Sequence, residues 1–404
     1  MPFAIYVLGL AVFAQGTSEF MLSGLIPDMA HDLQVSVSAA GLLTSAFAVG
    51  MIVGAPLMAV ASIRWQRRRA LLTFLITFMV VHVIGALTVS FEVLMVTRII
   101  GALANAGFLA VALSVAMSMV PADMKGRATS VLLGGVTIAC VVGVPGGAIL
   151  GDLWGWRASF WAIVVISAPA VVAILCATPS DPPTRSIPNA RAECASLRRP
   201  KLVLMLVLGA LVNGATFCSF TYLAPMLTDV SGFDSHWLPV LLGLFGLGSF
   251  IGVSVAGRLA DARPLSLLSV GAVVLLAGWI VFAWAASHPA VTLALLFTQG
   301  ALSFAVGSTL ISQVLYAADD APTLGGSFAT VAFNVGAALG PALGALTIGL
   351  GLGYRAPLWS SAALVAIALA VGAAGWTRHR TLVRARLGDE RANLPPSSTF
   401  RRAR

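Results

Sequence analysis

Apolar runs of about 20 residues recur along the whole chain, and they constrain its fold more than any other feature. A helix needs about 20 apolar residues to cross the hydrocarbon core of a bilayer. Of the 404 residues, 59% are hydrophobic and 10% are charged, whereas soluble proteins average about 25% charged residues. The sequence therefore predicts a membrane protein and not a set of soluble domains.

Twelve such runs can be counted, and each is predicted to form one membrane-spanning helix. Membrane β-strands would alternate apolar and polar residues over about ten positions, whereas runs such as LLTFLITFMVVHVIGAL are apolar on every side. The predicted spans are 3–25, 39–61, 70–90, 93–119, 128–151, 158–178, 201–224, 237–260, 265–286, 290–316, 323–348 and 356–376. The predicted fold class is an all-α integral membrane protein.

The basic residues lie almost entirely in alternate loops. The net charge of +9 would by itself also fit a nucleic-acid-binding protein. All but three of the 24 Lys and Arg residues, however, lie in the segments that follow even-numbered spans or at the edges of those segments, and the exceptions are Arg98, Arg157 and Arg355. Cytoplasmic loops carry the excess of Lys and Arg. We therefore expect a multi-pass protein of the cell (inner or plasma) membrane with both termini in the cytoplasm and no nucleic-acid partner.

Landmark residues recur at a constant offset of 198 residues, as in Gly50 and Gly248 or Arg157 and Arg355. A Pro-rich, basic stretch separates the first six spans from the last six. Its composition is that of a linker. The predicted parts are an N-terminal half at 1–178, a cytoplasmic linker at 179–200, a C-terminal half at 201–376 and a basic cytoplasmic tail at 377–404. Six spans in each half give both halves the same orientation. This parallel repeat is similar to the architecture of the major facilitator superfamily.

Glu19 and Arg98 are charged residues placed inside predicted spans. Glu19 lies in GTSEF of the first span, and Arg98 lies near the start of the fourth span in VTRIIGALANAGFLA. Charged groups within the bilayer are costly and are functional by default. We assign proton coupling to both, because a carboxylate whose protonation depends on which side is open to water is a natural proton carrier. The alternatives are that Glu19 locks a neighbouring helix and that Arg98 extends to the interface.

The fifth span contains GGVTIACVVGVPGGAILGDLWGWRASFW, in which Gly143, Gly146 and Gly147 surround Pro145. Small residues let helices approach closely, and proline kinks them. The stretch resembles the antiporter signature of exporting members of the superfamily, although Val144 separates the first glycine from the proline. The alternative is tight packing without any relation to the direction of transport.

The loop after the second span contains GAPLMAVASIRWQRRRAL, which resembles a loop signature of the superfamily. Arg64, Arg67 and Arg68 stand at its arginines, and Ile63 stands at its aspartate. In the second half, GRLAD places Asp261 at 198 residues after Ile63. The resemblance implies that these charges latch the inward-closed state. The alternatives are simple positive-inside topology for the arginines and helix capping for the aspartate.

Uncharged polar and aromatic residues within the spans are predicted to line a cavity for a moderately polar, partly aromatic molecule. They are Gln15, Asn105, Asn213, Phe217, Tyr222, Gln299 and Asn334. Asn213 and Phe217 are four residues apart and share one helix face. Phe217 also stands 198 residues after Glu19, so the acid has no counterpart in the second half. Each residue in this set has helix packing as its alternative.

The sequence lacks the motifs of metal binding, nucleotide binding and covalent catalysis. The four cysteines show no Cys-x-x-Cys spacing, so neither a disulfide nor a metal site is predicted. A phosphate-binding loop and a catalytic triad are also absent from the sequence. We therefore expect no enzymatic activity and no cofactor, with a proton gradient as the energy source.

Taken together, GTSEFMLSGLIP, the arginine loop, the fifth span and FNVGAALGPALG resemble twelve-helix major facilitator drug:proton antiporters, and among these the chloramphenicol resistance exporters. The resemblance implies proton-coupled efflux of a small drug, namely chloramphenicol, by alternating access, with antibiotic resistance as the result. We expect a monomer in the lipid bilayer. The alternatives are an exporter of sugars or nucleosides with the same fold and, in a different class, a non-transporting membrane sensor.

Overall fold

The computed structural model describes residues 2–61, 65–121, 124–177, 195–259, 264–318 and 325–392, and it is α-helical throughout these ranges apart from short connections. The α-helices of the first half are α1 (Phe3–Phe20), α2 (Leu22–Asp32), α3 (Val37–Ala61), α4 (Arg67–Leu87), α5 (Phe91–Ser118), α6 (Lys125–Ile138), α7 (Val144–Trp154) and α8 (Trp156–Ala177). Those of the second half are α9 (Pro200–Phe220), α10 (Leu223–Asp229), α11 (Leu238–Leu259), α12 (Pro264–Ala285), α13 (Pro289–Ala317), α14 (Gly325–Gly349) and α15 (Ala356–Ala392).

Twelve helical segments of the described residues are long and apolar enough to cross a membrane. The prediction of an all-α protein with twelve spans is confirmed. The fifth span is composite, because α6 and α7 are joined by a π-helical turn over Ala139–Gly143. The last helix continues beyond the predicted end of its span at residue 376 and reaches Ala392. Most of the predicted linker and the last part of the tail lie outside the described residues, so those boundaries remain predictions.

The same pairs of helices pack against each other in the two halves. In the first half α1 packs on α6, α3 on α5 and α4 on α8, and in the second half α9 packs on α14, α11 on α13 and α12 on α15. Glycine permits the closest of these approaches, since a Cβ at Gly50 would meet the carbonyl group of Ile99 and one at Gly248 would meet that of Phe297. We call these two groups of helices the first set (α1–α8) and the second set (α9–α15).

The two sets meet mainly along three contacts. Helix α3 packs on α14, the π-turn and α7 pack on α11, and α2 packs on α10. The largest cluster of buried apolar side chains accordingly includes Phe20 and Cys140 of the first set together with many residues of the second set. For orientation, the Asp32 end of the bundle is the end where α2 stops and α8 begins, and the Arg67 end is the opposite one, where α4 begins.

Candidate functional site: a buried charge network beside an aromatic cleft

Arg98 lies two turns into α5, whose first turn is capped by Ser90 accepting a hydrogen bond from the Val93 backbone N–H. Its side chain is 2% exposed and does not reach the surface. The guanidinium stands over the Phe47 ring at 4.4 Å from the ring centroid, a cation–π contact. A buried cation requires such partners, because an unpaired charge inside protein or membrane costs several kcal/mol.

Ser18 of α1 supplies the hydrogen-bond partners of Arg98. The Nη1 group donates to the Ser18 Oγ at 2.8 Å, and Nη2 donates to the Ser18 backbone carbonyl at 2.9 Å. The third nitrogen of the guanidinium, Nε, has no hydrogen-bond partner. Helix α5 is therefore joined to α1 through one residue, which binds the arginine with both its side chain and its backbone.

His82 of α4 extends this network. Its Nε2 lies 2.6 Å from the Ser18 Oγ, and its Nδ1 lies 2.7 Å from the Phe78 carbonyl oxygen. The imidazole is 3% exposed and packs between the rings of Phe78 and Phe160. Because a carbonyl only accepts, Nδ1 must carry a proton, which leaves Nε2 of a neutral imidazole as an acceptor for the Ser18 hydroxyl.

Glu19 is half-buried at the residue after Ser18. It attracts Arg98 electrostatically, yet among the described residues no ion pair within 4.0 Å joins the two. The arginine therefore binds the neighbour of the acid and not the acid itself. Glu19 also acts electrostatically on Cys140 of the π-turn, which places it close to the boundary between the two sets.

A cleft lies at that boundary and is lined mainly by phenylalanines. The lining residues are Phe20, Cys140, Thr216, Phe217, Phe220, Phe245 and Phe304. Phe20 of the first set and Phe217 of the second set stack with their ring centroids 5.8 Å apart. The cavity between them measures about 10 Å³, about the space of one water molecule, whereas pockets for drug-sized molecules measure about 300–1,000 Å³. The cleft must widen before such a molecule can enter.

The residues predicted to line a cavity fall in several places. Phe217 lines the cleft. Gln15 is 1% exposed, and neither its amide oxygen nor its nitrogen has a hydrogen-bond partner. Asn105 is buried, and its amide nitrogen lies 3.6 Å from the sulfur of Met51 on α3. Burying an amide without hydrogen-bond partners costs free energy. A polar ligand that formed hydrogen bonds with the Gln15 amide would remove this cost.

The other predicted residues make contacts within the second set. Asn213 donates to the Phe333 carbonyl at 2.7 Å and so joins α9 to α14. Gln299 donates to the Leu275 carbonyl at 3.2 Å and so joins α13 to α12. Asn334 donates to the Thr330 carbonyl, one turn earlier on its own helix, at 2.9 Å. None of these three lines the phenylalanine cleft.

Tyr222 closes the boundary between the sets near the Asp32 end. It is 1% exposed. Its hydroxyl donates to the Pro341 carbonyl of α14 at 2.9 Å and approaches the Ser38 carbonyl of α3 at 3.5 Å. A Cβ at Gly41 would overlap this hydroxyl. The structure thus places Tyr222 in the contact that seals this end, and not among the residues that line the cleft.

The glycine-proline stretch of the fifth span faces both α1 and α11. Pro145 lacks a backbone N–H and would clash with a carbonyl one turn earlier, and the preceding turn has the wider π-helical form. A Cβ at Gly143 would overlap Thr17, and one at Gly147 would lie 3.0 Å from the Met21 Cβ. Gly146 differs, since a Cβ there would meet no atom within 4 Å.

Two residues of the predicted latch, Arg64 and Asp261, lie outside the described residues. Arg67 and Arg68 are the first residues of α4 at the Arg67 end, and both are half-buried. Metal binding has no support in the described part of the chain, where no three His, Cys, Asp or Glu side chains are grouped so as to hold an ion.

Sequence reasoning missed Ser18, His82 and four of the five phenylalanines of the cleft. A signal for His82 was present, since it is the one ionisable residue of the predicted third span at 70–90. Ser18 and the phenylalanines carried no comparable signal, because serine and phenylalanine are ordinary residues of membrane helices.

Twelve spans in two sets of similar packing, with a cleft and an unpaired acid where the sets meet, define a membrane transporter of the alternating-access class. The sequence model of the Major Facilitator Superfamily matches residues 8–330. The chain belongs to the Major Facilitator Superfamily and is a multi-pass membrane protein.

Relatives support this assignment. A chloramphenicol resistance protein of Streptomyces lividans is 55% identical over 374 residues, which are 92% of this chain and 95% of the relative. The inner membrane transport protein YdhP of Escherichia coli strain K12 is 33% identical over 352 residues, which are 87% of this chain and 90% of YdhP. A crystal structure of a bacterial homolog to the human lysosomal transporter Spinster, in an inward-facing and unoccupied conformation, matches with a TM-score of 0.71 and 18% identity, covering 94% of this chain and 96% of the other. At that identity the likeness concerns the fold alone.

Proposed function

We propose that this protein exports chloramphenicol, or a small aromatic drug like it, in exchange for protons. The observation that carries the proposal is Glu19, an acid without an ion-pair partner among the described residues, next to Phe20 at the wall of the phenylalanine cleft. Aromatic walls suit a ligand with an aromatic ring, and the relative named for chloramphenicol resistance covers nearly the whole chain. A sugar exporter would instead need many hydrogen-bonding groups in the cleft.

The transport cycle that we propose is rocking of the half at 1–178 against the half at 201–376. Drug and proton bind in alternation. Protonation of Glu19 from outside releases the drug outward, and loss of that proton to the cytoplasm allows the next drug molecule to bind. Arg98 supplies the positive charge beside Glu19 in both states, and the amide of Gln15 is available to a polar group of the drug. No covalent step and no cofactor are needed, because the proton gradient supplies the free energy.

The proposed orientation places both termini and the Arg67 end in the cytoplasm. Its support is the distribution of Lys and Arg, since the Arg67 end carries the basic loops. The Asp32 end, where Tyr222 bridges α3 and α14, then faces outward and is closed in this conformation. The charges at Arg64, Arg67, Arg68 and Asp261 act in this proposal as a latch on the cytoplasmic side. We propose a monomer as the working unit, because each chain contains both halves of the cleft.

The test is drug transport by Glu19→Gln in proteoliposomes. We expect this variant to lose accumulation of chloramphenicol driven by a pH gradient and to keep exchange of labelled for unlabelled drug without a gradient, because glutamine fills the same volume but does not carry the proton. Glu92→Gln is the matched control, since Glu92 is an exposed acid at the start of α5 that accepts from Ser90. Undiminished gradient-driven transport by Glu19→Gln would remove this residue from the mechanism. Failure of the wild-type protein to transport the drug would refute the proposed substrate.

A further inference from the structure

The hydrogen bonds around Ser18 run in one direction. His82 donates from Nδ1 to the Phe78 carbonyl, so its Nε2 accepts the Ser18 hydroxyl hydrogen. With that hydrogen turned toward the histidine, the lone pairs of the Ser18 Oγ face the Nη1 donor of Arg98. The histidine thus determines which way the serine hydroxyl points. Without an acceptor at position 82, the Ser18 hydroxyl hydrogen would be free to rotate toward the guanidinium. It would then weaken the hydrogen bond from Nη1 of Arg98 to the Ser18 Oγ.

The charges that face this network are few. Ser18 of α1 and Phe160 of α8 contact His82, and α5 packs on α4 with Arg98 bound to the same serine. The near charges among the described residues are Glu19 on α1 and Arg98 on α5. The other titratable groups on α1, α5 and α8 lie close to helix ends and are Tyr6, Glu92, Arg157 and Cys176. Of these, Arg157 is bound to Asp32 and Glu92 to Ser90.

We propose that His82 is a positioning residue for proton coupling, which holds Arg98 on Ser18 and thereby keeps the arginine from pairing with Glu19. The inference rests on the proposed function of Glu19 as the proton carrier. One nitrogen of the Arg98 guanidinium, Nε, has no hydrogen-bond partner, and no ion pair satisfies the attraction of the guanidinium to Glu19. Two bonds to Ser18 and the Phe47 ring oppose that attraction. The acid therefore remains free to take up and release its proton while the arginine stays in place.

Loss of this anchoring has a predictable direction. In Ser18→Ala or His82→Leu, the backbone bond from Nη2 to the Ser18 carbonyl remains, but the bond from Nη1 to the Ser18 hydroxyl is lost or weakened. The guanidinium would then turn about the remaining bond toward Glu19 and form an ion pair with its carboxylate. A positive charge in contact with a carboxyl group favours its charged form, so that the pH at which the group becomes protonated falls by about one unit or more. Glu19 would then need a lower pH to become protonated. We expect the pH of half-maximal transport to fall by about one unit, whereas His82→Gln keeps an acceptor for the Ser18 hydroxyl and retains the wild-type midpoint.

The experiment uses two readouts on the full-length protein. Drug transport in proteoliposomes gives the pH midpoint of the activity, and infrared titration of the protonated carboxyl band, identified by its loss in Glu19→Gln, reports the acid directly. Ser23→Ala is the matched control, because Ser23 is a buried serine close to Ser18 whose hydroxyl donates to the Phe20 carbonyl.

A lower midpoint in Ser18→Ala and His82→Leu, with wild-type values in His82→Gln and Ser23→Ala, supports the proposal. An unchanged midpoint with a lower rate at every pH overturns it, because that is the result of a purely structural role. A midpoint shifted to higher pH overturns it as well. If wild-type transport is absent while the infrared midpoint moves as expected, the proposed function fails and the positioning role stands. Should His82→Leu not fold, Ser18→Ala decides the question.

Discussion

Gly41 and Tyr222 show how closely the two sets approach at the residue scale. The Tyr222 ring fits between α3 and α14, where a Cβ at Gly41 would overlap the hydroxyl and a Cβ at Gly344 would lie 2.6 Å from ring atom Cε2. Both positions therefore require glycine, because any side chain there would overlap the Tyr222 ring or hydroxyl. The tyrosine is buried, so it has little room to move aside while this end of the bundle is closed.

Gly41→Ala is expected to open the Asp32 end. Overpacking of a filled interior costs about 1–3 kcal/mol, and here that cost falls on the closed conformation because the open one separates α3 from Tyr222. Spin labels at His31 and Ser235, two exposed positions of this end on opposite sets, would report a longer distance in a larger fraction of molecules. Gly134→Ala is the matched control, since a Cβ there meets no atom within 4 Å. Equal distance distributions in the two variants would contradict the expectation.

At the scale of elements, three helices of the first set are tied together at the Asp32 end. The Asp32 carboxylate accepts from Arg157 and, at 3.0 Å, from the Trp156 indole N–H, and Arg157 also donates to the Thr88 carbonyl at 3.0 Å. The end of α2, the end of α4 and the start of α8 thus share one cluster. The hydrogen bond from Arg157 holds the pKa of Asp32 below its usual range, with the Trp156 hydrogen bond adding to the effect.

Asp32→Asn is expected to lower thermal stability in a pH-dependent way. A carboxyl whose pKa is lower in the folded protein stabilises the fold above its unfolded pKa of about 3.9, and this contribution disappears as the pH falls through the folded value. Both side chains are partly exposed, at 45% for Asp32 and 32% for Arg157, so the contribution is about 1 kcal/mol or less. Melting curves of variant and wild type should differ at about pH 7 and converge as the pH falls through the lowered pKa of Asp32 in the folded protein.

The control for this measurement is Asp234→Asn. Asp234 pairs with His236, two residues further along the same loop, so it ties no helices together. A similar loss of stability in this variant would show that the Asp32 effect is general to surface acids. If the stability difference between Asp32→Asn and wild type persists at low pH, the charge of Asp32 is not the cause of that difference.

The helices could be predicted from the sequence because a run of about 20 apolar residues has few alternatives in a bilayer. Pro145 signalled an interruption of the fifth span, but not the π-turn that precedes it, since a proline is accommodated in several ways. The partner of Arg98 was beyond prediction for a different reason. Ser18 and Glu19 are adjacent in sequence, and only the packing of α1 against α5 decides which of them the guanidinium reaches.

At the scale of the whole molecule, the contact between the sets combines apolar packing with bonds to backbone carbonyls. Ser45 of α3 donates to the Ala338 carbonyl of α14 at 2.7 Å, and a Cβ at Gly243 of α11 would lie 3.2 Å from the Pro145 ring. Salt bridges between the sets do not occur among the residues that the structure describes. Contacts of this kind separate without leaving buried charges unpaired, which suits a boundary that opens and closes in each cycle.

Cross-linking across this boundary is expected to stop transport. In a background without the four native cysteines, Ser45→Cys with Ala338→Cys would place two thiols on facing helices, and a reducible bis-thiosulfonate linker would hold the sets together. We expect loss of drug efflux on linking and recovery on reduction. The control pair is Ser219→Cys with Ser361→Cys, whose hydroxyls lie 2.6 Å apart within the second set. Efflux that survives linkage of Ser45 to Ala338 would show that the sets do not separate there.

One of the two hydrogen bonds of Arg98 is made to the peptide backbone, since Nη2 binds the Ser18 carbonyl. No side-chain replacement at position 18 removes that carbonyl, so natural variation at this residue leaves part of the arginine's attachment intact. The aromatic contacts of the cleft have no such protection, because the contacts of Phe220 with Phe217 and with Phe245 are made by side-chain rings. Under antibiotic selection, changes in which compounds are expelled should therefore arise in the phenylalanines, while the backbone bond to Arg98 is retained.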